Sequence, residues 1–108
     1  GHFYVCNQLF PLLRKTSRLP DTPAPLIVFE GSEQHRMTPS DVHFASLDEI
    51  NNPKVGNLQL YCRTKLAIIL GVKYRLLERV IRPNNDNIYA LSVHPGTVSK
   101  VHGYLLLC

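Results

Sequence analysis

The stretch LQLYCRTKLAIILGVKYRLLERVIRP, Leu58–Pro83, decides the fold. Its apolar residues recur at helical spacing, and Pro83 stops the pattern because proline lacks a backbone N–H and disfavours helix in the residue before it. The predicted helix runs from about Leu58 to Arg82. It is flanked by LIVF, Leu26–Phe29, and IYALSV, Ile88–Val93, two short apolar, β-rich runs. Runs of this kind read as strands buried on both faces, as in a parallel sheet. Strand, long helix and strand form a crossover unit, whose strands run parallel with a right-handed connection. The expected class is α/β.

Before the first strand, Phe3, Cys6, Phe10 and Leu13 fall at helical spacing, with Val5, Leu9 and Leu12 widening the stripe. A helix over residues 3–14 follows, kinked or ended early by Pro11. KTSRLPDTPAP is irregular, with three prolines close together. Glu30 to about Gly56 is read as a long loop with one irregular turn at most, a length unusual in a compact domain unless it lines a site. Two strands alone leave open edges and bury little, so the chain is expected to be marginal by itself or to pair with another. It opens at Gly1 inside what reads as a helix. The expectation is a single partial domain, residues 1–108, cut from a longer protein.

Composition narrows the function classes. With 108 residues, 44% hydrophobic and 19% charged, the chain has the make-up of a globular domain with one core. The net charge of +4 is spread along the chain without a basic stripe or stacking platform, which argues against nucleic acid. Three cysteines, Cys6, Cys62 and Cys108, without CxxC spacing argue against a disulfide framework or zinc site and for a reducing, cytoplasmic setting. The N-terminus has no basic segment followed by an apolar block, so no signal peptide is read. LAIILGV and GYLLLC are far short of the roughly 20 residues of a membrane span.

Within the long helix, Tyr61 and Lys65 are four residues apart and so share a face. A free phenol titrates near pH 10, and an adjacent cation favours its phenolate, so such a pair suits proton exchange with an alcohol or carbonyl oxygen. A Y-x-x-x-K spacing also arises by chance, and other elements must support it. Ser32 falls just beyond the first strand in LIVFEGSEQHR, and Pro95, Gly96, Thr97 and Val98 just beyond the second in IYALSVHPGTV. In open parallel sheets ligands bind outside the carboxyl ends of the strands, and the start of the intervening helix lies at that same end. Leu66, Leu70 and Leu77 are expected to face the core. His35 and His94 have no partner at ligand spacing, and Asp48 with Glu49 reads as a solvated pair.

Taken in order, Ser32, YCRTK and HPGTV resemble the carboxyl-terminal half of a short-chain dehydrogenase/reductase. GHFYVCNQLFPLL is similar to a helix of that family, and GHF, YCRTKLAIIL and VHPGTV together resemble its retinol-dehydrogenase-like and WW-domain oxidoreductase-like branch. The resemblance covers residues 1–98. It implies a partial Rossmann-like sheet and an NAD- or NADP-dependent interconversion of an alcohol and a carbonyl compound. Tyr61 is then the general acid/base, and Lys65 lowers its pKa and holds the nicotinamide ribose. Ser32 polarises the substrate oxygen, while Pro95, Gly96, Thr97 and Val98 border the nicotinamide. It also implies a homo- or hetero-oligomer through the two long helices. Two departures stand out. No Gly-rich turn of the kind that holds a pyrophosphate occurs in these residues, and FEGS replaces the usual apolar-Val-Ser-Ser. An isolated chain is therefore expected to show no turnover. The competing reading is a non-catalytic partner acting through its helices, and the blandest a gene product with no role.

Overall fold

The computed structural model describes residues 1–96 together with the backbone of 98–101 and 104–107. Helix α1 (His2–Ser17) leads to strand β1 (Leu26–Glu30), a 3-10 turn over Glu33–Met37 and the single-turn α2 (Leu47–Ile50). Helix α3 (Asn57–Leu70) continues with a wider, π-type winding over Gly71–Ile81, and then come β2 (Tyr89–Val93), β3 (Val98–Val101) and β4 (Tyr104–Leu107). Strands β1 and β2 form a two-stranded parallel sheet. The backbone falls into two compact units, Gly1–Phe29 with Ile69–Ser92, and Glu30–Ile68 with the chain from Val93 onward.

In the first unit α1 carries Arg14 and Lys15 in its last turn, where cations complement the helix dipole. Pro11 does not end the helix early, and α1 reaches Ser17. Proline removes one backbone hydrogen bond, but buried Phe10 and an ion pair from Arg14 Nε to Asp86 Oδ2 at 2.8 Å hold the turns around it. The core joins Phe10, Phe29, Val72, Leu76, Ile81, Ile88 and Ala90. Phe3 stacks on Phe29 with centroids 5.0 Å apart, and His2 meets the same ring edge-on at 6.1 Å. Phe3 also sits where a side chain at position 71 would go: a Cβ built on Gly71 lies 2.7 Å from Phe3 Cε2. Only glycine allows this close approach.

Both strands are where the sequence puts them, but they are not buried on both faces. Phe29 and Ala90 are buried, whereas Leu26, Val28, Tyr89 and Leu91 are exposed. Alternate strand residues face opposite ways. In this unit the aromatic side chains of α1 cover the Phe29 face, and no described element of the unit covers the other. The long helix also differs in detail. Leu66, Leu70 and Leu77 are half-buried, and the buried line is Cys62, Ile68, Val72, Leu76 and Ile81. From Val72 its steps are four and then five residues, wider than the α period of 3.6 and matching the π winding. Hydrogen bonds from Arg82 N–H to Leu77 O and from Asp86 N–H to Ile81 O, each 3.0 Å, skip five residues in the same way.

In the second unit the segment from Glu30 to Gly56 is more ordered than a long loop. Ser46 caps α2, its Oγ accepting Glu49 N–H at 3.1 Å. The Glu49 carboxylate reaches back to the backbone N–H groups of His43, Phe44 and Ala45 at 2.8, 3.1 and 2.9 Å. The sequence has the S-x-x-E spacing of a capping box, but Glu49 reaches past the cap's own N–H to the three residues before it, tying down a loop in which Phe44 has φ of 52°. The pair Asp48 and Glu49 is thus not merely solvated, because Glu49 organises the loop. The expectation of only two strands is also corrected. Strands β3 and β4 pair antiparallel, from Val98 opposite Leu107 to Val101 opposite Tyr104. Each strand is only four residues long, and Ser99 and Lys100 interrupt the apolar pattern of the first, which hides this hairpin from pattern reading.

Candidate active site

Ser32 is two residues past the last residue of β1 and begins the 3-10 turn. Its Oγ accepts Gln34 N–H at 3.2 Å, and its carbonyl accepts His35 N–H at 3.1 Å, with His35 Nδ1 at 2.7 Å. These bonds fix the side chain of a residue that is only 8% exposed. A hydroxyl has a donor and two acceptor sites, so accepting one N–H leaves its proton for a substrate oxygen.

Tyr61 and Lys65 follow the start of α3 by one and two turns. Tyr61 is 44% exposed. Lys65 Nζ lies 5.6 Å from the centroid of the Tyr61 ring, and it donates to the Glu30 backbone carbonyl at 3.0 Å. An ammonium has three donors, and this bond uses one while anchoring the charge beside the phenol.

Ser32 and Tyr61 border one open cleft of about 390 Å³, with Glu30, Gly31, Glu33, Gln34, His94, Pro95 and Gly96 completing its wall. Gly31 N–H donates to Val93 O at 2.6 Å, tying the segment before Ser32 to the segment before Pro95. Gly96 has φ of 84°, a conformation that glycine adopts without strain. Of the sequence-predicted residues, Ser32, Tyr61, Pro95 and Gly96 therefore line a common cleft. Lys65 contacts its wall through Glu30. Thr97 lies outside the described residues, and of Val98 only the backbone, at the start of β3, is described.

The cleft walls also include residues that spacing did not single out. Glu30, Glu33 and Gln34 flank Ser32 in sequence, and their only signal is that adjacency. His94 precedes the Pro-Gly turn; among the described residues no three His, Cys, Asp or Glu side chains gather as a metal site. The cleft residues offer a hydroxyl and a phenol, and the Lys65 ammonium is held at the cleft wall through the Glu30 carbonyl. Among the described residues no helix is long and apolar enough to cross a membrane. No protein-family model, curated protein or solved structure matches the chain.

Proposed function

We propose that this chain carries the catalytic half of an NAD- or NADP-dependent oxidoreductase of the short-chain dehydrogenase/reductase type, interconverting an alcohol and a carbonyl compound in a cytoplasmic setting. The observation that carries the reading is the shared cleft: Ser32, Tyr61 and the Pro95–Gly96 turn border it, and the Lys65 ammonium stands one helical turn from the phenol. In the reductive direction Tyr61 gives its proton to the substrate oxygen while Ser32 donates a hydrogen bond to the same atom. In the oxidative direction the alcohol proton goes to the Tyr61 oxygen. Lys65, held by Glu30 O, stabilises the phenolate and offers its remaining donors to a ribose hydroxyl. A bound nicotinamide supplies or accepts the hydride. Within a Rossmann-like doubly wound sheet, the parallel pair β1 and β2 would continue with further strands that carry the Gly-rich turn.

No pyrophosphate-binding turn occurs in these 108 residues, so the test uses the nicotinamide half alone. The chain is given reduced nicotinamide mononucleotide deuterated at C4, at millimolar concentration, with an activated aryl trifluoromethyl ketone. Deuterium in the product alcohol is read by mass spectrometry. Transfer above the protein-free rate, cut about 100-fold or more by Tyr61→Phe, supports the reading. Transfer that Tyr61→Phe leaves unchanged rejects it.

A second reading rests on a different observation. Val5, Leu9 and Leu12 form an exposed apolar stripe on α1, spaced by four and three residues. Such a seam suits a helix partner, and the chain would then act as a homo- or hetero-oligomeric interaction module. Sedimentation discriminates: a monomer unaffected by Leu9→Glu removes this reading.

A further inference from the structure

The second unit holds another cavity, of about 210 Å³, that shares no lining residue with the Ser32 and Tyr61 cleft. Its wall is mainly apolar and includes Phe44, Ile50, Leu60 and Ala67, and three polar residues also line it: Glu49, Thr64 and Arg63. The fold itself uses two of these. Thr64 Oγ1 donates to Leu60 O at 2.8 Å, and the Glu49 carboxylate is occupied by the backbone N–H groups of residues 43–45. Arg63 is different. Its Nη1 donates to Glu49 O at 3.3 Å, but its Nε is buried and meets no acceptor among the described residues. Nor does its guanidinium form an ion pair among them. A buried charged donor without a partner costs free energy that an incoming acceptor returns.

The geometry of the guanidinium defines that acceptor. With Nη1 turned to Glu49 O, Nε has no acceptor among the described residues; a turn of the side chain that brings its Nε and Nη2 edge to the cavity would present a fork that matches the two oxygens of a carboxylate. The Glu49 charge opposes an anion here, but three N–H dipoles point at it, which leaves the Arg63 charge the less compensated of the two. The remaining space is apolar and about the size of one ring or one branched alkyl group. We propose that this pocket binds a small aromatic or branched aliphatic monocarboxylic acid, with its apolar body on Phe44, Ile50, Leu60 and Ala67 and its carboxylate on Arg63.

The test titrates the whole chain with sodium benzoate, and in parallel with benzamide, its neutral analogue, following backbone amides and the Arg63 Nε–H by NMR. Saturable shifts at Phe44, Ile50, Leu60 and Arg63 are expected, with benzamide at least tenfold weaker. Arg63→Met should weaken benzoate by tenfold or more, and Ala67→Leu, which fills the pocket, should abolish binding. Equal affinity for benzamide and benzoate, or no saturable shift, overturns the proposal, and this comparison needs no variant. Benzoate binding unchanged in a folded Arg63→Met chain overturns it as well. None of these outcomes bears on the oxidoreductase reading, which rests on other residues.

Discussion

Replacing Gly71 with alanine tests the packing of the first unit through the sign of the effect. Alanine is the better helix former by about 1 kcal/mol, so at an unconstrained helical position the change stabilises. At this position a Cβ would stand 2.7 and 3.0 Å from Phe3 Cε2 and Cε1, closer than carbon atoms approach. Phe3 would have to leave Phe29, on which it stacks at 5.0 Å. The lost ring pairing is worth about 0.5–1.5 kcal/mol. Partial exposure of a half-buried phenylalanine adds about 1–2 kcal/mol, below the value for a fully buried one. The net expectation for Gly71→Ala is a loss of about 1–2 kcal/mol. In a Phe3→Ala background the obstacle is gone, and the same substitution should stabilise by up to about 1 kcal/mol. Urea unfolding of the four proteins followed by circular dichroism gives the double-mutant cycle. A Gly71→Ala effect of the same sign and size in both backgrounds would refute the reasoning.

Other consequences follow from the same physics. Arg14→Met leaves the Asp86 carboxylate, 3% exposed, without its ion-pair partner, and should lower stability by about 2 kcal/mol in urea unfolding, with Asp86→Asn in addition restoring part of the loss. The backbone N–H groups of Ala45 and then His43, with a smaller contribution from Phe44, hold the Glu49 carboxyl below its ordinary value. A lowered folded-state pKa contributes stability that is present above the unfolded-chain value of about 4.3 and is lost as pH falls through the folded one. The protection factors of the amides of residues 43–45, that is, their exchange rates corrected for the intrinsic slowing at lower pH, should therefore fall on acidification through that window, and Glu49→Gln should leave them low and independent of pH. Burial pushes the Cys6 thiol up from its ordinary value, so alkylation by iodoacetamide at pH 7.5 should be slower at Cys6 than for an unfolded-chain cysteine, and 8 M urea should abolish the difference.

The elements easiest to read were those with one strong signal. Leu26–Phe29 and Ile88–Val93 announce themselves as β-rich runs between Pro and Gly punctuation, and both are strands in a parallel pair. Pro83 marks the end of the long helix to within two residues. Its change of winding at Gly71 leaves no trace in a hydrophobic pattern read at 3.6 residues per turn, because the glycine is there to admit Phe3, a contact between segments far apart in sequence. Exposure of Leu26 and Leu91 was equally illegible: a continuous apolar run states what a strand can bury, and its neighbours decide what it does bury. The S-x-x-E spacing of Ser46 and Glu49 was legible as a capping signal, but reading the two acids as an isolated pair hid it. In the candidate site, order along the chain sufficed to bring Ser32, Tyr61, Pro95 and Gly96 forward. The hydrogen bond of Lys65 to the Glu30 carbonyl depends on backbone position, which no side-chain motif encodes.

The central claim is that Ser32, Tyr61, Lys65 and the Pro95–Gly96 turn act together as one nicotinamide and carbonyl site. The most direct measurement is a titration of the isotopically labelled chain with oxidised nicotinamide mononucleotide, followed by assigned amide resonances. The account predicts saturable shifts confined to Gly31, Ser32, Tyr61, Lys65, His94 and Gly96, weakened at least tenfold by Lys65→Ala. Saturation centred on other residues, or no shift at these amides up to tens of millimolar, would contradict it.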